Sequence, residues 1–514
     1  MTAFKEDEHY LYLFTNEREK KLEIDNLLRA KDSNAENDPR YQLGSWDGYV
    51  RYYETQILEN GILFKVNKGL KDKILKNISF DEIGKMDFIQ QGKPLEFIKS
   101  IIPELPFLPY KHQLQGFMHL TSSNRAFASM CTSSGKSLVA YMLVRYFLKL
   151  NKKIIILVPT ISLVSQLESD FRVDYKAPKE VIDDIELIGG EFQEKKLKKS
   201  VVISTYQSLV KVKHKLKDYD VILVDEAHLA GAESYKKILK ENFEYNLAMT
   251  GSVPIIKTAR MSIEEVFSDP KFIIKARELM DMGLLTDSVI HPIFLNYSKP
   301  MTKGKSKMKY QEEVKFIKES VERREFISKF TKKLDGLKVL LFNHTDHGKE
   351  QYKDITGEYP PTGKKAFDRM KELEVFFING GTASKVREQI RIYTNTLKTG
   401  IIVANYKVFS TGINLPNLKH LILLSSTKSY TTIMQSLGRV FRLKENKNIA
   451  QIWDFVDVFI FKKESYALKH FWERLAAYTL EGHKISEREI DLDTKKFTRD
   501  KKRPLNVTED LTVW

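Results

Sequence analysis

The chain is 514 residues long, with 42% hydrophobic and 30% charged residues and a net charge of +16. That composition is globular rather than disordered and too long for one hydrophobic core, so two to four domains are expected. A single cysteine excludes an intramolecular disulfide framework and any cysteine-cluster zinc site, and points to a reducing cytoplasm. With an acidic start at Met1–Glu8 and no long unbroken apolar run, neither a signal peptide nor a membrane partner is expected.

Residues 1–106 are expected to form a small α/β accessory domain. Tyr49–Tyr53 and Ile62–Val66 have strand composition, Trp46-Asp47-Gly48 and Ile57–Gly61 supply turns, and Leu70–Ile78 is helix-prone. Ile101–Pro106 marks a boundary. Over 107–275 the apolar runs Ala126–Met130, Ile154–Val158, Val201–Ser204 and Val221–Val224 alternate with helical stretches. This rhythm predicts a parallel sheet covered on both faces. It returns over 276–460, with strands expected near Ile290–Leu295, Val339–Asn343, Val375–Ile378, Ile401–Ala404 and Leu421–Ser425. Lys299–Lys309 and Pro360-Pro361 are expected to be exposed connections. Residues 461–514 begin as an amphipathic helix through His470–Leu475 and end in a basic tail with Lys495-Lys496 and Lys501-Lys502-Arg503. Residues 1–106 carry a slight acidic excess and the last fifty-four are nearly balanced. The positive charge therefore lies between them, as a surface for phosphate backbone requires.

Three motifs inside that basic region carry chemistry. The first is Cys131-Thr132-Ser133-Ser134-Gly135-Lys136-Ser137, between an apolar strand and the helical Leu138–Val144. Strand, glycine turn and helix together aim backbone N–H groups at phosphates. Lys136 would neutralise the β/γ oxygens and Ser137 would ligate Mg²⁺. The pattern departs from G-x-x-x-x-G-K-[ST] at its first glycine, where Met130 stands. The second motif, Asp225-Glu226-Ala227-His228, follows a buried β-branched strand, where the crevice of an open α/β sheet forms. Asp225 would hold Mg²⁺ through water and Glu226 would orient the attacking water. The third, Gln435-Ser436-Leu437-Gly438-Arg439-Val440-Phe441-Arg442, puts two guanidinium groups on one helix face, suited to charge on a transferring phosphoryl group.

With these motifs in this order the chain resembles superfamily 2 helicases and translocases, built on two tandem RecA-like sheets. Gln113 resembles the family's adenine-reading glutamine, and Pro159-Thr160 and Thr205-Tyr206-Gln207 its strand-contacting motifs. Thr250-Gly251-Ser252 resembles the linker that, with His228, couples hydrolysis to movement. Asn343 falls in a motif IV-like segment, and Ser410-Thr411-Gly412 in one that meets both backbone and nucleotide. Thr132–Ser137, Val408–Ile413, Gln435–Val440 and Ser45-Trp46-Asp47-Gly48 are more narrowly similar to the UvsW-type recombination helicases of T4-like phages. That likeness spans about the first 460 residues. It departs at Ala227, where the group carries Cys, and around Thr356–Pro361.

The resemblance implies ATP and Mg²⁺ as cofactors, with catalytic roles for Lys136, Asp225, Glu226, Gln435, Arg439 and Arg442. ATP is implied to lie on Gln113, Thr132, Ser133, Ser134, Gly135, Lys136, Ser137 and Gly412. It further implies 3′-to-5′ movement on single-stranded and branched duplex DNA in a host cytoplasm, with phage recombination or single-strand-binding proteins as partners. The accessory domain would either engage DNA or brace the motor. An RNA helicase of the same superfamily, a restriction-complex motor and a non-enzymatic annealing protein are the alternatives.

Overall fold

A computed structural model describes residues 2–499 except 8–9, 59–60, 84–91, 190–196, 231–232, 240, 242, 255, 298–307, 413–414, 416, 426–432, 434–435, 439, 442–448, 460–464 and 492–495. The chain divides into two compact units, Met1–Ile274 and Lys275–Trp514.

The first unit opens with short strands: β1 (Thr2–Glu6), β2 (Tyr10–Thr15), β3 (Arg29–Lys31), β4 (Tyr49–Arg51), β5 (Tyr53–Leu58), β6 (Gly61–Asn67) and β7 (Glu82–Ile83). Five form a sheet in the order β5-β6-β2-β1-β7, while β3 and β4 pair separately. Period-two alternation turns Leu11 and Leu13 of β2 inward against Phe4, Phe64 and Val66. That core is completed by Met261, which lies on the helix Lys257–Phe267 of the adjoining motor. The Tyr52 hydroxyl donates to Thr258 O at 2.6 Å, and the fully buried Glu264 pairs with Lys73 and Arg260. Gly69 packs directly on the backbone of Glu264 and Glu265, leaving no room for a Cβ. Gly69→Ala is therefore expected to loosen this attachment by about 1–3 kcal/mol, measured as a lower urea midpoint for unfolding of the N-terminal sheet.

The motor sheet of this unit comprises β8 (Arg125–Met130), β9 (Ile154–Val158), β10 (Ile185–Ile188), β11 (Val201–Thr205), β12 (Val221–Val224), β13 (Tyr245–Thr250) and β14 (Pro270–Ile274). All are parallel, in the order β10-β11-β9-β12-β13-β8-β14. Successive residues of β9 and β12 enter two different cores, one on each face, which is why these two strands are apolar throughout.

In the second unit the strands are β15 (Asp287–Asn296), β16 (Leu337–Phe342), β17 (Val375–Ile378), β18 (Gly400–Asn405), β19 (Leu418–Leu423), β20 (Ile449–Val458), β21 (Lys484–Ile485), β22 (Arg488–Asp491) and β23 (Lys496–Arg499). The order is β17-β18-β16-β19-β20-β15-β22-β23, with β21 also on β15. Among the described residues of this unit, only β22 and β23 pair antiparallel. The expected C-terminal helix is present as Tyr466–Leu480, and the chain beyond it returns to cover the edge of β15. Two buried ion pairs lie beneath β20: Arg323 with Asp457 at 2.7 Å, and Arg474 with Asp454 at 2.8 Å. The architecture is two tandem RecA-like sheets with a small N-terminal α/β domain. Among the described residues no helix is long and apolar enough to cross a membrane.

Candidate nucleotide site and strand-contact loops

Parallel pairing brings the carboxyl ends of β8, β9, β11, β12 and β13 to one edge, where an open α/β sheet binds its ligand. The loop after β8 is the candidate phosphate cradle. Ser133 (φ 67°) and Gly135 (φ 80°) take left-handed backbone, turning the chain sharply before the helix Lys136–Lys149. A side chain at Gly135 would collide with the Gln113 amide. Gln113 is buried; its Oε1 accepts from Tyr110 N–H at 2.8 Å and its Nε2 donates to Ser134 O at 3.3 Å. His112 Nε2 meets the same carbonyl at 2.9 Å. Both side chains thus brace the cradle from behind. Lys136 Nζ donates to Met130 O at 3.2 Å and Cys131 O at 3.4 Å, so it lies folded over the loop that a phosphate would occupy.

Ser137 Oγ lies 2.6 Å from the hydroxyl of Tyr175, a residue that sequence reasoning missed. Burial pushes the Tyr175 phenol up to about 12. Nothing in the local pattern marks it, because it lies 38 residues away in a charged connection.

Asp225 follows β12 and is anchored by its N–H to Leu157 O at 2.9 Å. Burial, then the neighbouring Glu226 carboxylate, raises its pKa. Its Oδ1 is buried and has no hydrogen-bond partner among the described residues. An orphaned carboxylate oxygen within the electrostatic reach of Lys136 fits a hard divalent cation, which takes oxygen ligands and keeps several waters. Glu226 is a non-glycine residue in left-handed backbone (φ 52°, ψ 50°), the kind of strain that gathers at functional sites. Burial would raise its pKa, but the His228 hydrogen bond and the Lys136 charge outweigh that and hold it low. The two carboxylates are thus driven apart in proton affinity, with Glu226 the more acidic of the two.

The Thr250 hydroxyl joins this group. It lies 3.0 Å from His228 Nδ1, 3.4 Å from Glu226 Oε2 and 3.1 Å from Ser252 O, and the Ser252 N–H donates to it at 3.3 Å. A Cβ on Gly251 would sit 2.9 Å from Thr132 Oγ1 and 3.4 Å from Lys136 Nζ. The structure therefore brings together Lys136, Asp225, Glu226, His228 and Thr250–Ser252, which are scattered over more than a hundred residues of sequence.

The expected strand-contact residues differ in their surroundings. Pro159 and Thr160 are half-buried, and Thr160 Oγ1 caps the helix Ile161–Ser169 through Leu163 N–H at 3.4 Å. Thr205 is buried with its hydroxyl on Ser208 Oγ at 3.1 Å, whereas Gln207 is exposed. Asn343 is half-buried at the end of β16, its carbonyl accepting from Asn405 Nδ2 at 3.1 Å. Ser410, Thr411 and Gly412 form the last turn of the helix Tyr406–Gly412. Gln435, Arg439 and Arg442 lie outside the described residues.

Comparison with known proteins follows this division. The family described as "Type III restriction enzyme, res subunit" matches residues 88–254, and "Helicase conserved C-terminal domain" matches 322–444. The chain is 30% identical over 485 residues to the ATP-dependent DNA helicase uvsW of Enterobacteria phage T4, covering 88% of this chain and 92% of that one. It is 26% identical over 375 residues to putative helicase 22 of a Sulfolobus islandicus filamentous virus, covering 66% and 62%. In fold it is similar to a fragment of a putative HsdR subunit of a type I restriction enzyme from Vibrio vulnificus YJ016. That match has a TM-score of 0.57 at 17% identity, covering 79% of this chain and 73% of the fragment. With both helicase halves matched and the T4 relative spanned almost end to end, the chain belongs to the superfamily 2 helicases, in the UvsW-type group, and is an ATP-hydrolysing enzyme.

Proposed function

We propose that this helicase moves 3′ to 5′ on DNA and unwinds or remodels branched DNA, such as junctions, forks and R-loops, in recombination, replication and repair. Strand annealing is a second activity of the same chain. The observation that carries this reading is the identity to a phage DNA helicase over 88% of the chain. The +16 net charge agrees with it, since phosphate backbone supplies most of the affinity of such surfaces.

In this reading Lys136 neutralises the β/γ oxygens, Glu226 orients the attacking water, and Gln113 and Gly412 contribute to nucleotide binding. Ser137 and Asp225 hold Mg²⁺, which when bound offsets the charge of the phosphates. Gln435, Arg439 and Arg442 supply polar and positive groups to the transferring phosphoryl. His228, Thr250, Gly251 and Ser252 couple hydrolysis to movement. Pro159, Thr160, Thr205, Gln207, Asn343, Ser410 and Thr411 contact the strand, through hydroxyls and backbone groups that read phosphate rather than base. The domains divide as 1–106 (accessory), 107–275 and 276–460 (motor), and 461–514 (extension and tail). Partners are DNA and phage recombination or single-strand-binding proteins, in the host cytoplasm.

Steady-state ATP hydrolysis with no nucleic acid, single-stranded DNA, a synthetic four-way junction and matched RNA tests the proposal. The expected order is junction above single strand above RNA. Greater stimulation by RNA would reassign the polymer, and equal rates throughout would remove nucleic acid as the partner.

A further inference from the structure

The helix Ile161–Ser169 does not end in an ordinary cap. It continues into a five-residue π segment, Asp170–Asp174, closed by the Tyr175 N–H on Asp170 O at 2.9 Å. Single π turns of this kind are rare and occur mostly at functional sites. Here the turn swings Tyr175 inward, where only 7% of it is exposed. Its ring packs on Tyr141 at 5.4 Å and Phe107 at 5.9 Å. Tyr141 belongs to the helix that starts at Lys136, so the phenol is fixed to the element that carries the cradle. Its hydroxyl then falls 2.6 Å from Ser137 Oγ.

We propose that Tyr175, delivered by this π turn, is a positioning residue for Ser137. It draws the serine proton away from the nucleotide, so that an oxygen lone pair faces Mg²⁺; the inference rests on the ATP-site reading above. A hydroxyl has one proton and two lone pairs. Left free, the Ser137 proton samples every staggered direction, including that of the cation, which it opposes. The Tyr175 oxygen, fixed 2.6 Å from Ser137 Oγ and accepting that proton, removes this freedom. The aromatic packing of Tyr175 makes the arrangement rigid before ligand arrives, as a preorganised site requires.

Binding of a fluorescent ADP analogue to the full-length chain, titrated with and without Mg²⁺, separates this role from packing. Tyr175→Phe keeps the ring and its contacts and removes only the hydroxyl. Wild type is expected to bind the nucleotide more tightly with Mg²⁺. The variant is expected to match wild type in its absence and to bind about threefold to tenfold more weakly in its presence, with an unchanged melting temperature. An unchanged Mg²⁺ dependence in Tyr175→Phe overturns the proposal, and so does an equal loss of affinity with and without the metal, which would assign the tyrosine to packing. Wild type that binds no nucleotide under either condition overturns the ATP-site reading itself.

Discussion

Lys136→Ala is expected to lower kcat for ATP hydrolysis by about 10²–10³-fold, the usual loss when one preorganised stabilising group is removed from a charged transition state. The magnitude follows from position. Lys136 opens the helix behind the cradle, and its Nζ reaches back over the loop to Met130 O and Cys131 O. In a cradle of backbone amides it is the one full positive charge of the motif, and it acts on the carboxylates Asp225 and Glu226 as well. Its own packing role is small: the side chain is half-buried and its two bonds are to loop carbonyls. The variant is therefore expected to melt with wild type and to retain affinity for DNA. Turnover measured beside fluorescence anisotropy on a labelled strand checks both halves. Residual hydrolysis near the wild-type rate, or lost DNA binding, would remove Lys136 from the phosphate-binding role.

Glu226→Gln is expected to act on the chemical step alone. The carboxylate is held ionised by His228 and Lys136 against the opposing effect of burial, and an ionised carboxylate is what orients and polarises a water. The amide keeps the size and still offers an oxygen to the Thr250 hydroxyl, so the strained backbone at φ 52° should survive. A loss of about 10²–10⁴-fold in the single-turnover hydrolysis rate is expected, with nucleotide affinity nearly unchanged. Hydrolysis that remains within about tenfold of wild type would move the water-orienting role to another group. The substitution also frees His228 of its anionic partner, so a loss of DNA-stimulated rate beyond the basal loss would place the Glu226–His228–Thr250 group in the coupling path.

How much of this could be read in advance depended on how local each feature is. Val221–Val224 and Ile154–Val158 are apolar at every position because each face of the sheet meets its own core, and that pattern is written in consecutive residues. The same holds for the cradle, where Gly135 must take φ 80° and leave room for Gln113. By contrast, Arg488–Asp491 has no strand alternation; it becomes β22 because β15 offers an unpaired edge. The helix Lys257–Phe267 has an ordinary amphipathic pattern, which does not disclose that Met261 completes the core of the N-terminal domain.

The sequence by itself marked the loop proposed to hold phosphate, the carboxylates that follow a buried strand, and the two sheets that carry them. Those are short-range constraints, each met within a loop or a strand of a few residues. Only the tertiary structure decided that Tyr175 closes on Ser137 across 38 residues, that Gly251 packs on Thr132, and that the accessory domain is attached through the helix after Thr250–Ser252. These contacts join segments with no common periodicity, so chain folding, rather than any local pattern, selects them.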